Sequence, residues 1–243
     1  MLKKFAVFSL LIFTIPLILK GQDPKMTEDW SRKPPVIEGS KWRKAPSDAI
    51  ILFKKGKDID NWSDKKGEPA GWKTSCRTMT TSQTGNIITK QEFGDCQLHV
   101  EWKTPRKAVG DGQGRGNSGV YVQTLYEVQI LDSYENETYY NGQAGSVYKQ
   151  SAPLVNASRK PGKWQVYDIV FHAPLFNEDG SLISPATFTV FHNGVLIQDH
   201  FVLKGPSVYG GYPKYTAHAE KMPLLLQDHG NPVKFRNIWI REL

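Results

Sequence analysis

A short segment in which apolar and polar side chains alternate is the feature that most constrains this chain. Residues 126–132 read YEVQILD, and a strand places successive side chains on opposite faces. Its apolar residues would then face a core, while Glu127 and Gln129 share the other face. Asp132 has the opposite parity, but a single bulge after Ile130 would turn it onto the polar face. This predicts two carboxylates and an amide on one sheet surface. The alternative is a solvated outer face, since exposed faces of antiparallel strands are usually polar.

Short strands separated by turns fill most of the remaining chain and predict an all-β fold. No segment carries a helical period, and many short strands with turn residues between them are typical of a sandwich or a barrel. One domain of this class ordinarily has ~200–250 residues. We predict strands at 49–53, 71–80, 86–89, 97–103, 119–123, 126–131, 145–148, 164–172, 186–191, 195–201, 223–229 and 237–241.

The pair Asn193-Gly194 predicts a tight hairpin between two of these strands, because both residues readily adopt the positive φ angles of such turns. The alternation on each side of the turn then assigns the two faces of the hairpin. Phe188, Val190, Val195 and Ile197 are predicted to face the core, with Thr189, Gln198 and His200 opposite.

The first residues have the pattern of an export signal. Two lysines precede an apolar run at 5–19, and Lys20, Gly21 and Gln22 follow it, as in a charged region, an apolar region and a small residue for cleavage. The run is shorter than the ~20 residues that a membrane-spanning helix needs. We expect a signal peptide at 1–21, with an uncleaved anchor as the alternative, a polar proline-containing segment at 22–46 and a single domain at 47–243. The expected mature chain is periplasmic or extracellular, with no stable membrane span.

Charge and cysteine content exclude several classes of protein. The net charge of +7 includes basic residues near the N-terminus, and no arginine-rich run is interleaved with aromatic residues, so nucleic acid is disfavoured as a partner. Cys76 and Cys96 would be able to pair in an oxidising compartment, but the sequence does not fix their geometry. No CxxC motif occurs, and none of the six histidines forms a spaced metal pair. We therefore predict no metal and no cofactor, and the oligomeric state stays open.

A glycine-rich loop at 110–119 contains the letters of a dinucleotide-binding fingerprint, with Gly114, Gly116 and Gly119 in the required spacing. That fingerprint needs a preceding strand and a following helix, whose N-terminus holds the pyrophosphate. Here a strand pattern follows instead, so we reject a nucleotide site. The loop is expected to enter the strand and to bring Asn117 into a site.

His229 is the histidine that we favour as a functional residue. It shares a strand face with Gln227, and histidine side chains commonly transfer protons near neutral pH. A lone histidine is more often structural, and we expect that role for His99, His172 and His218. His192 would serve the hairpin, and His200 stays undecided.

Several motifs together resemble the 3-keto-disaccharide hydrolase domain family. They are ILFKKGKDIDNW, EFGDCQLHVEWKTP, GNSGVY, YEVQILDSY, NGQAGSVY, APLVNASRKPGKWQVYDIVF, HNGVLIQDH and PLLLQDHGNPVKFRNIWIREL, which span 49–243. The resemblance implies a concanavalin A-like jelly-roll sandwich of two curved antiparallel sheets that binds sugar on its concave face. Glucanases of that fold carry an aspartate where this chain has Gln129 and a glutamate where it has Asp132. This difference argues against double displacement by two glutamates. Gln123 and Cys96 also stand where an arginine and an aromatic residue are expected.

The resemblance further implies cleavage of glycosides that a separate dehydrogenase has oxidised at carbon three. The ketone acidifies the hydrogen on carbon two, so a base can remove it, the enolate can expel the group on carbon one, and water can add back. Such a route needs a base, an acid for the leaving oxygen and partners for the enolate.

The family resemblance and the strand parity together suggest roles for named residues. His229 or Glu127 would be the base, and Asp132 or Glu127 the acid. Gln129, Gln143 and Gln227 would donate to the enolate or to sugar hydroxyls, Tyr167 would form a wall, and Asn117 and Gln123 would be further sugar contacts. Two alternatives remain, a carbohydrate-binding module without turnover and a conventional glycosidase with a carboxylate pair.

Overall fold

The computed structural model describes residues 23–39 and 44–243, and the predicted signal peptide at 1–21 lies outside them. The chain divides into two units, Met1–Val36 and Ile37–Leu243. In the first, the described residues contain one short 3₁₀ helix, Pro24–Thr27, and all their side chains are exposed. Within the described ranges, no helix has the length and apolar character needed to cross a membrane.

Antiparallel strands build the second unit, as the alternation predicts, and its described residues include only short 3₁₀ helices at Gly56–Asn61, Gly112–Gly114 and Tyr140–Gly142. The strands are β1 Ile50–Phe53, β2 Trp62–Ser63, β3 Lys73–Ser75, β4 Thr78–Thr80, β5 Ile87–Phe93, β6 Cys96–Lys103, β7 Ser118–Val122, β8 Tyr126–Ile130, β9 Gln165–His172, β10 Leu175–Phe176, β11 Leu182–Ser184, β12 Thr187–His192, β13 Val195–Val202, β14 Met222–Leu226 and β15 Lys234–Glu242.

Two sheets pack face to face in a concanavalin A-like jelly roll. The eight-stranded sheet has the order β13-β12-β9-β6-β15-β4-β3, with β1 also paired to β15, and the five-stranded sheet has the order β2-β5-β14-β7-β8. Strands that neighbour each other in these sheets are often far apart in sequence, which is typical of jelly rolls.

Large aromatic side chains fill the space between the sheets. Trp102, Tyr167 and Phe171 of the larger sheet are fully buried, and the ring of Tyr126 from the smaller sheet lies 5.6 Å from that of Phe171. Val128 and Ile130 join the same core. Because these residues occupy the inner face of β8, the intervening Glu127 and Gln129 point to the other face of the sheet.

The hairpin at Asn193-Gly194 is confirmed, since these residues have φ angles of 54° and 83°, as a type I′ turn requires. Phe188, Val190 and Ile197 face the core as predicted, but Val195 is 44% exposed. Gln198, predicted to face outward, is buried and donates to the carbonyl groups of Gly145 and Ala152. The pairing of β12 with β13 contains register shifts, and each shift moves later side chains to the opposite face.

Two other predicted strands differ from the structure. The run at 71–80 is a hairpin, β3 and β4, which turns at Cys76 and Arg77. The run at 145–148 is not a strand, although it follows the outer edge of β8, where Val147 bridges to Val128. Ser146 accepts from the backbone of Gln129 at 3.0 Å, and the Gly145 N–H donates to Gln129 at 2.8 Å. This segment therefore covers an edge that would otherwise be unpaired.

Cys76 and Cys96 do not pair. Cys96 is buried in the core and Cys76 is exposed. Burial raises the pKa of the Cys96 thiol to about 12, so it behaves as an apolar side chain at neutral pH.

Candidate active site

A pocket of about 260 Å³ lies on the outer face of the five-stranded sheet, over β7, β8 and the end of β14. Ligand pockets commonly measure ~300–1,000 Å³, so this one suits a group about as large as a single sugar ring. We call it the Glu127 pocket. Its lining residues are Asn117, Tyr121, Glu127, Gln129, Tyr148, Ser207, Val208, Tyr209, Gln227 and His229.

Glu127 is the only carboxylate among these lining residues, and its side chain is almost completely buried, with 2% exposed. Burial raises the pKa of Glu127 to about 8, and the hydrogen bond from Tyr121 opposes that rise. Tyr121 is its direct partner across the strands β7 and β8. A carboxyl with this pKa is mostly protonated at pH 7, so it is able to donate a proton.

Gln129, the next residue along the same face, is held by the glycine-rich loop. Its Nε2 donates to Oε1 of Gln113 at 3.0 Å, and Gln113 in turn donates to the Gly142 carbonyl at 2.9 Å. The loop is fixed by Asn136, which accepts from the Gly112 N–H at 2.8 Å. Oε1 of Gln129 is buried and has no hydrogen-bond partner within the described chain.

Gln227 and His229 enter the pocket from the residues that follow β14. Gln227 Nε2 lies 3.4 Å from the Tyr121 hydroxyl, and its buried Oε1 has no partner in the described residues. The sequence predicts that Gln129 and Gln227 donate hydrogen bonds. In the structure, their N–H groups point to protein atoms and their unpaired oxygens are acceptors, so both are arranged to receive hydrogen bonds from hydroxyl groups.

Asn117 also lines the pocket, as its place at the end of the glycine-rich loop predicts. Its side chain donates to the Gln113 carbonyl, and its backbone N–H donates to Asn231, both at 2.7 Å. His229 is exposed and makes no hydrogen bond to any described residue. The structure thus brings together five residues selected from the sequence, namely Asn117, Glu127, Gln129, Gln227 and His229.

Four further lining residues with polar side-chain groups were missed by the sequence analysis, namely Tyr121, Tyr148, Ser207 and Tyr209. Tyr121 carries a usable signal, because it stands between Val120 and Val122 and so must lie on the polar face of its strand. The other three lie in irregular segments, where no period predicts direction. Ser207 anchors its loop by accepting from the backbone N–H of Glu127 at 3.0 Å, and Tyr209 is 84% exposed at the rim.

Asp132 does not join this pocket, so its predicted position is wrong. The strand β8 ends at Ile130, and its pairing with β7 shows no register shift, so the expected bulge is absent from this pair. The Asp132 carboxylate instead accepts from Arg115 Nε at 2.9 Å and lines a separate hollow. Its side chain is 3% exposed. Asp132 is therefore the partner of a buried ion pair.

Three predicted sugar contacts also lie elsewhere. Tyr167 is fully buried between the sheets, and its hydroxyl donates to the Gln129 carbonyl at 2.7 Å. Gln123, at the turn between β7 and β8, donates to the Glu220 carbonyl at 2.6 Å. Gln143 packs in the loop after the 3₁₀ helix Tyr140–Gly142 and does not line the Glu127 pocket. Tyr167 acts on the site only through the backbone that it holds.

The described residues contain no cluster of three or more His, Cys, Asp or Glu side chains that would hold a metal ion. The polar groups of the Glu127 pocket are amides, phenols, one serine hydroxyl, one carboxyl and one imidazole. This set suits hydrogen bonding to hydroxyl groups together with proton transfer.

Comparisons with known proteins identify the family and the fold. Residues 48–241 match the model of the 3-keto-alpha-glucoside-1,2-lyase-like domain. A candidate glycosyl hydrolase from Parabacteroides distasonis ATCC 8503, solved at 2.13 Å, is 47% identical, with a TM-score of 0.87 over 94% of this chain and 100% of that one. Another from the same organism, solved at 1.70 Å, shares the fold, with 20% identity and a TM-score of 0.59 over 80% and 94% of the two chains. No curated protein sequence matches this chain.

Proposed function

This chain belongs to the 3-keto-alpha-glucoside-1,2-lyase-like domain family, and from that premise we propose that it cleaves 3-keto-glycosides, including 3-keto-disaccharides, in the Glu127 pocket. One observation carries the proposal. A carboxyl that burial keeps protonated at neutral pH and an exposed histidine line the same pocket, which has the size of a sugar ring.

The proposed reaction proceeds by elimination and hydration. A base removes the proton from carbon two, and the electron pair of that C–H bond forms an enolate with the ketone at carbon three. The enolate then restores the ketone, a double bond forms between carbons one and two, and the bond from carbon one to the leaving oxygen breaks. An acid protonates that oxygen. Water finally adds across the double bond, with its oxygen on carbon one and a proton on carbon two.

Glu127 is proposed as the acid. Its pKa of about 8 leaves it protonated in the resting enzyme, so it can deliver a proton to the leaving oxygen. Its ionised form would then accept a hydrogen bond from Tyr121, whose side chain also lines the pocket. The sequence leaves Glu127 open as either acid or base, and the burial of its carboxyl favours the acid.

His229 is proposed as the base that removes the proton from carbon two. A neutral imidazole has an unprotonated ring nitrogen, which is able to accept that proton. His229 is exposed and has no internal hydrogen-bond partner among the described residues. It is therefore free to meet the substrate.

The unpaired oxygens of Gln129 and Gln227 support a sugar as ligand. A buried acceptor without a partner costs about 1–3 kcal/mol, and a hydroxyl group that binds in the pocket would remove that cost. Tyr209, at the rim, offers an aromatic face against which a second ring can stack.

A conventional glycosidase is less well supported. That mechanism needs two carboxyl groups, either ~5–5.5 Å or ~6.5–9.5 Å apart, on both sides of the scissile bond. The Glu127 pocket contains one carboxyl, and the Asp132 carboxylate is held by Arg115 in a separate hollow.

The test uses the purified protein with a 3-keto-disaccharide and its unoxidised parent, side by side in deuterated water. We expect release of product from the keto sugar alone, with deuterium at carbon two. Glu127→Gln and His229→Ala should each reduce turnover by about 10²-fold or more, whereas Glu92→Gln, an exposed carboxyl on the same sheet, should not. Cleavage of the parent would restore the conventional mechanism, and sugar binding without turnover would make the protein a lectin.

We also propose that the protein is exported, on the basis of the pattern at residues 1–21. Cell fractionation followed by N-terminal sequencing of the mature chain tests this. A chain that remains in the cytoplasm with Met1 intact would contradict it.

A further inference from the structure

Another hollow, of about 630 Å³, opens on the eight-stranded sheet and shares no residue with the Glu127 pocket or with the hollow that Asp132 lines. Its floor is formed by two residues of β15, and its walls by the loop after β1 and the turn between β3 and β4. The Gly56 N–H donates to the Cys76 carbonyl at 3.2 Å and joins these two walls. We call it the basic hollow. Its lining residues are Lys54, Lys55, Cys76, Arg77, Thr78, Arg236 and Asn237.

The lining contains basic side chains and no carboxylate. Lys54, Lys55 and Arg77 form no ion pair with any described residue. The Asp58 carboxylate accepts from the backbone N–H groups of Lys54 and Lys55, at 2.8 and 2.9 Å, and forms no ion pair with their side chains. The three basic side chains of these walls are therefore not ion-paired within the described protein.

The floor of the hollow is positioned by a bulge in β15. Asn237 has a φ of 47°, and the register of β15 against β6 shifts between Arg236 and Trp239. Arg236 Nε donates to Glu101 at 2.5 Å, and Asn237 donates to the other oxygen of Glu101 at 2.9 Å. These contacts fix the guanidinium in a rigid position.

Further positive charge lies beside Arg236 on the same sheet. Lys103 and Lys234 are direct partners across β6 and β15, an arrangement that like charges normally avoid. Burial, together with the charges of Lys234 and Arg236, lowers the pKa of Lys103. The Lys103 ammonium and the Arg236 guanidinium lie 4.7 Å and 3.9 Å from the centre of the Trp164 ring. Repulsion of this kind weakens when an anion binds.

We propose that the basic hollow binds an acidic sugar, one that carries a carboxylate or a sulfate group. Arginine and lysine side chains without counter-charges are the usual partners of such groups. The volume of the hollow falls within the range of small-molecule sites and exceeds what one inorganic anion fills. Thr78 and Asn237 add uncharged polar groups to the lining, which are able to bond sugar hydroxyls. The site is independent of the Glu127 pocket, so its ligand need not be the substrate.

The test measures binding of a sulfated disaccharide and of its unsulfated parent to the full chain by titration calorimetry, at low and at high salt. We expect the sulfated sugar to bind more tightly, and its affinity to fall at high salt because salt screens the charges. The double substitution Lys55→Ala and Arg77→Ala should weaken binding by roughly tenfold or more. A matched substitution of two lysines outside the hollow, Lys160→Ala and Lys163→Ala, should leave binding unchanged.

The melting temperatures of both double variants are compared with that of the parent, so that loss of the fold is not mistaken for loss of the site. Equal affinity for the two disaccharides, or equal binding by the Lys55 and Arg77 variant, would overturn the proposal. Inorganic sulfate that binds as tightly as the sulfated disaccharide would also overturn it, since no sugar would then be recognised. Binding to vesicles of anionic lipid in place of the disaccharide would do the same.

Discussion

The carboxyl group of Glu127 occupies the space that Gly119 leaves by having no side chain. A Cβ atom at position 119 would lie 2.4 Å from Oε1 of Glu127 and 2.8 Å from the Tyr121 ring. Gly119 does not have a positive φ, so it is required here for close approach and not for backbone conformation. The glycine thus positions the proposed acid.

Gly119→Ala should displace the Glu127 carboxyl and lower kcat by about 10²-fold, because misplacement of a catalytic group by ~1 Å can have that effect. The kinetics of 3-keto-disaccharide cleavage measure it. Gly114→Ala is the matched control, since a Cβ there would meet nothing within 4 Å, and it should retain turnover. A Gly119→Ala variant with the parent kcat would show that the position of Glu127 is not critical.

Glu127→Gln should stabilise the protein at alkaline pH. The folded-state pKa of Glu127 is about 8, above the ordinary glutamate value of 4.5. The stability that its protonated form contributes is therefore complete below pH 4.5 and is lost as the pH rises to about 8. Each pKa unit corresponds to ~1.4 kcal/mol, so the loss amounts to roughly a few kcal/mol. Denaturant unfolding between pH 5 and 9 should show a steeper fall for the parent than for the variant, and parallel curves would contradict this.

Asp132→Asn should lower the stability of the folded protein and leave its turnover nearly unchanged. The substitution removes the charge that balances Arg115 in a buried pair, and breaking such a pair typically costs about 3–5 kcal/mol. Turnover of the keto sugar should fall by less than about threefold, which is within the effect of a local rearrangement. If Asp132→Asn lowered kcat as much as Glu127→Gln does, Asp132 would be the acid of the reaction.

Protonation of His99, in the larger sheet, should make the stability of the folded protein depend on pH. Burial alone would lower the pKa of His99, but its hydrogen bonds with Asp168 and Glu101 raise it to about 9. The resulting stability is complete below pH 6.5 and is lost as the pH rises through about 9. Since Asp168 is partly exposed, we expect about 1–2 kcal/mol.

Asp168→Asn tests this dependence. Unfolding measurements should show a lower stability than the parent at pH 6 and little difference at pH 10. Asp199→Asn, an exposed carboxyl on the same sheet, is the control and should not change the pH dependence. An Asp168→Asn variant that loses the same stability at both pH values would show that charge is not the cause.

Strand parity predicted the residues of the site that lie in a strand or directly after one. Glu127 and Gln129 alternate with core residues, and Gln227 and His229 continue the alternation of β14, so period two was sufficient to place them on one surface. Asp132 lies beyond the end of β8, where strand alternation no longer predicts which way a side chain points. The hydrogen bond from Arg115 to its carboxylate fixes the direction of the side chain.

Tyr167 illustrates a second limit of pattern analysis. In β9 the inner face carries Gln165 and Tyr167, while Val166 and Val170 face outward. Both faces of this strand therefore contain apolar residues, and the sequence does not distinguish inside from outside. The hydroxyl of Tyr167 is satisfied by the backbone of Gln129 on the other sheet, a contact between residues that are far apart in sequence.

The segment at 145–148 also has a consequence for self-association. It pairs with β8 at the border of the five-stranded sheet, and an uncovered strand at such a border invites intermolecular pairing and aggregation. Gly145 has a φ of +82°, and a Cβ there would lie 2.1 Å from Cδ1 of Ile197. A larger residue at this position would lift the segment away and leave the backbone of β8 open to another molecule. Gly145 thus lets the segment at 145–148 pack beside the pocket, and it also keeps the edge of β8 covered against pairing with another molecule.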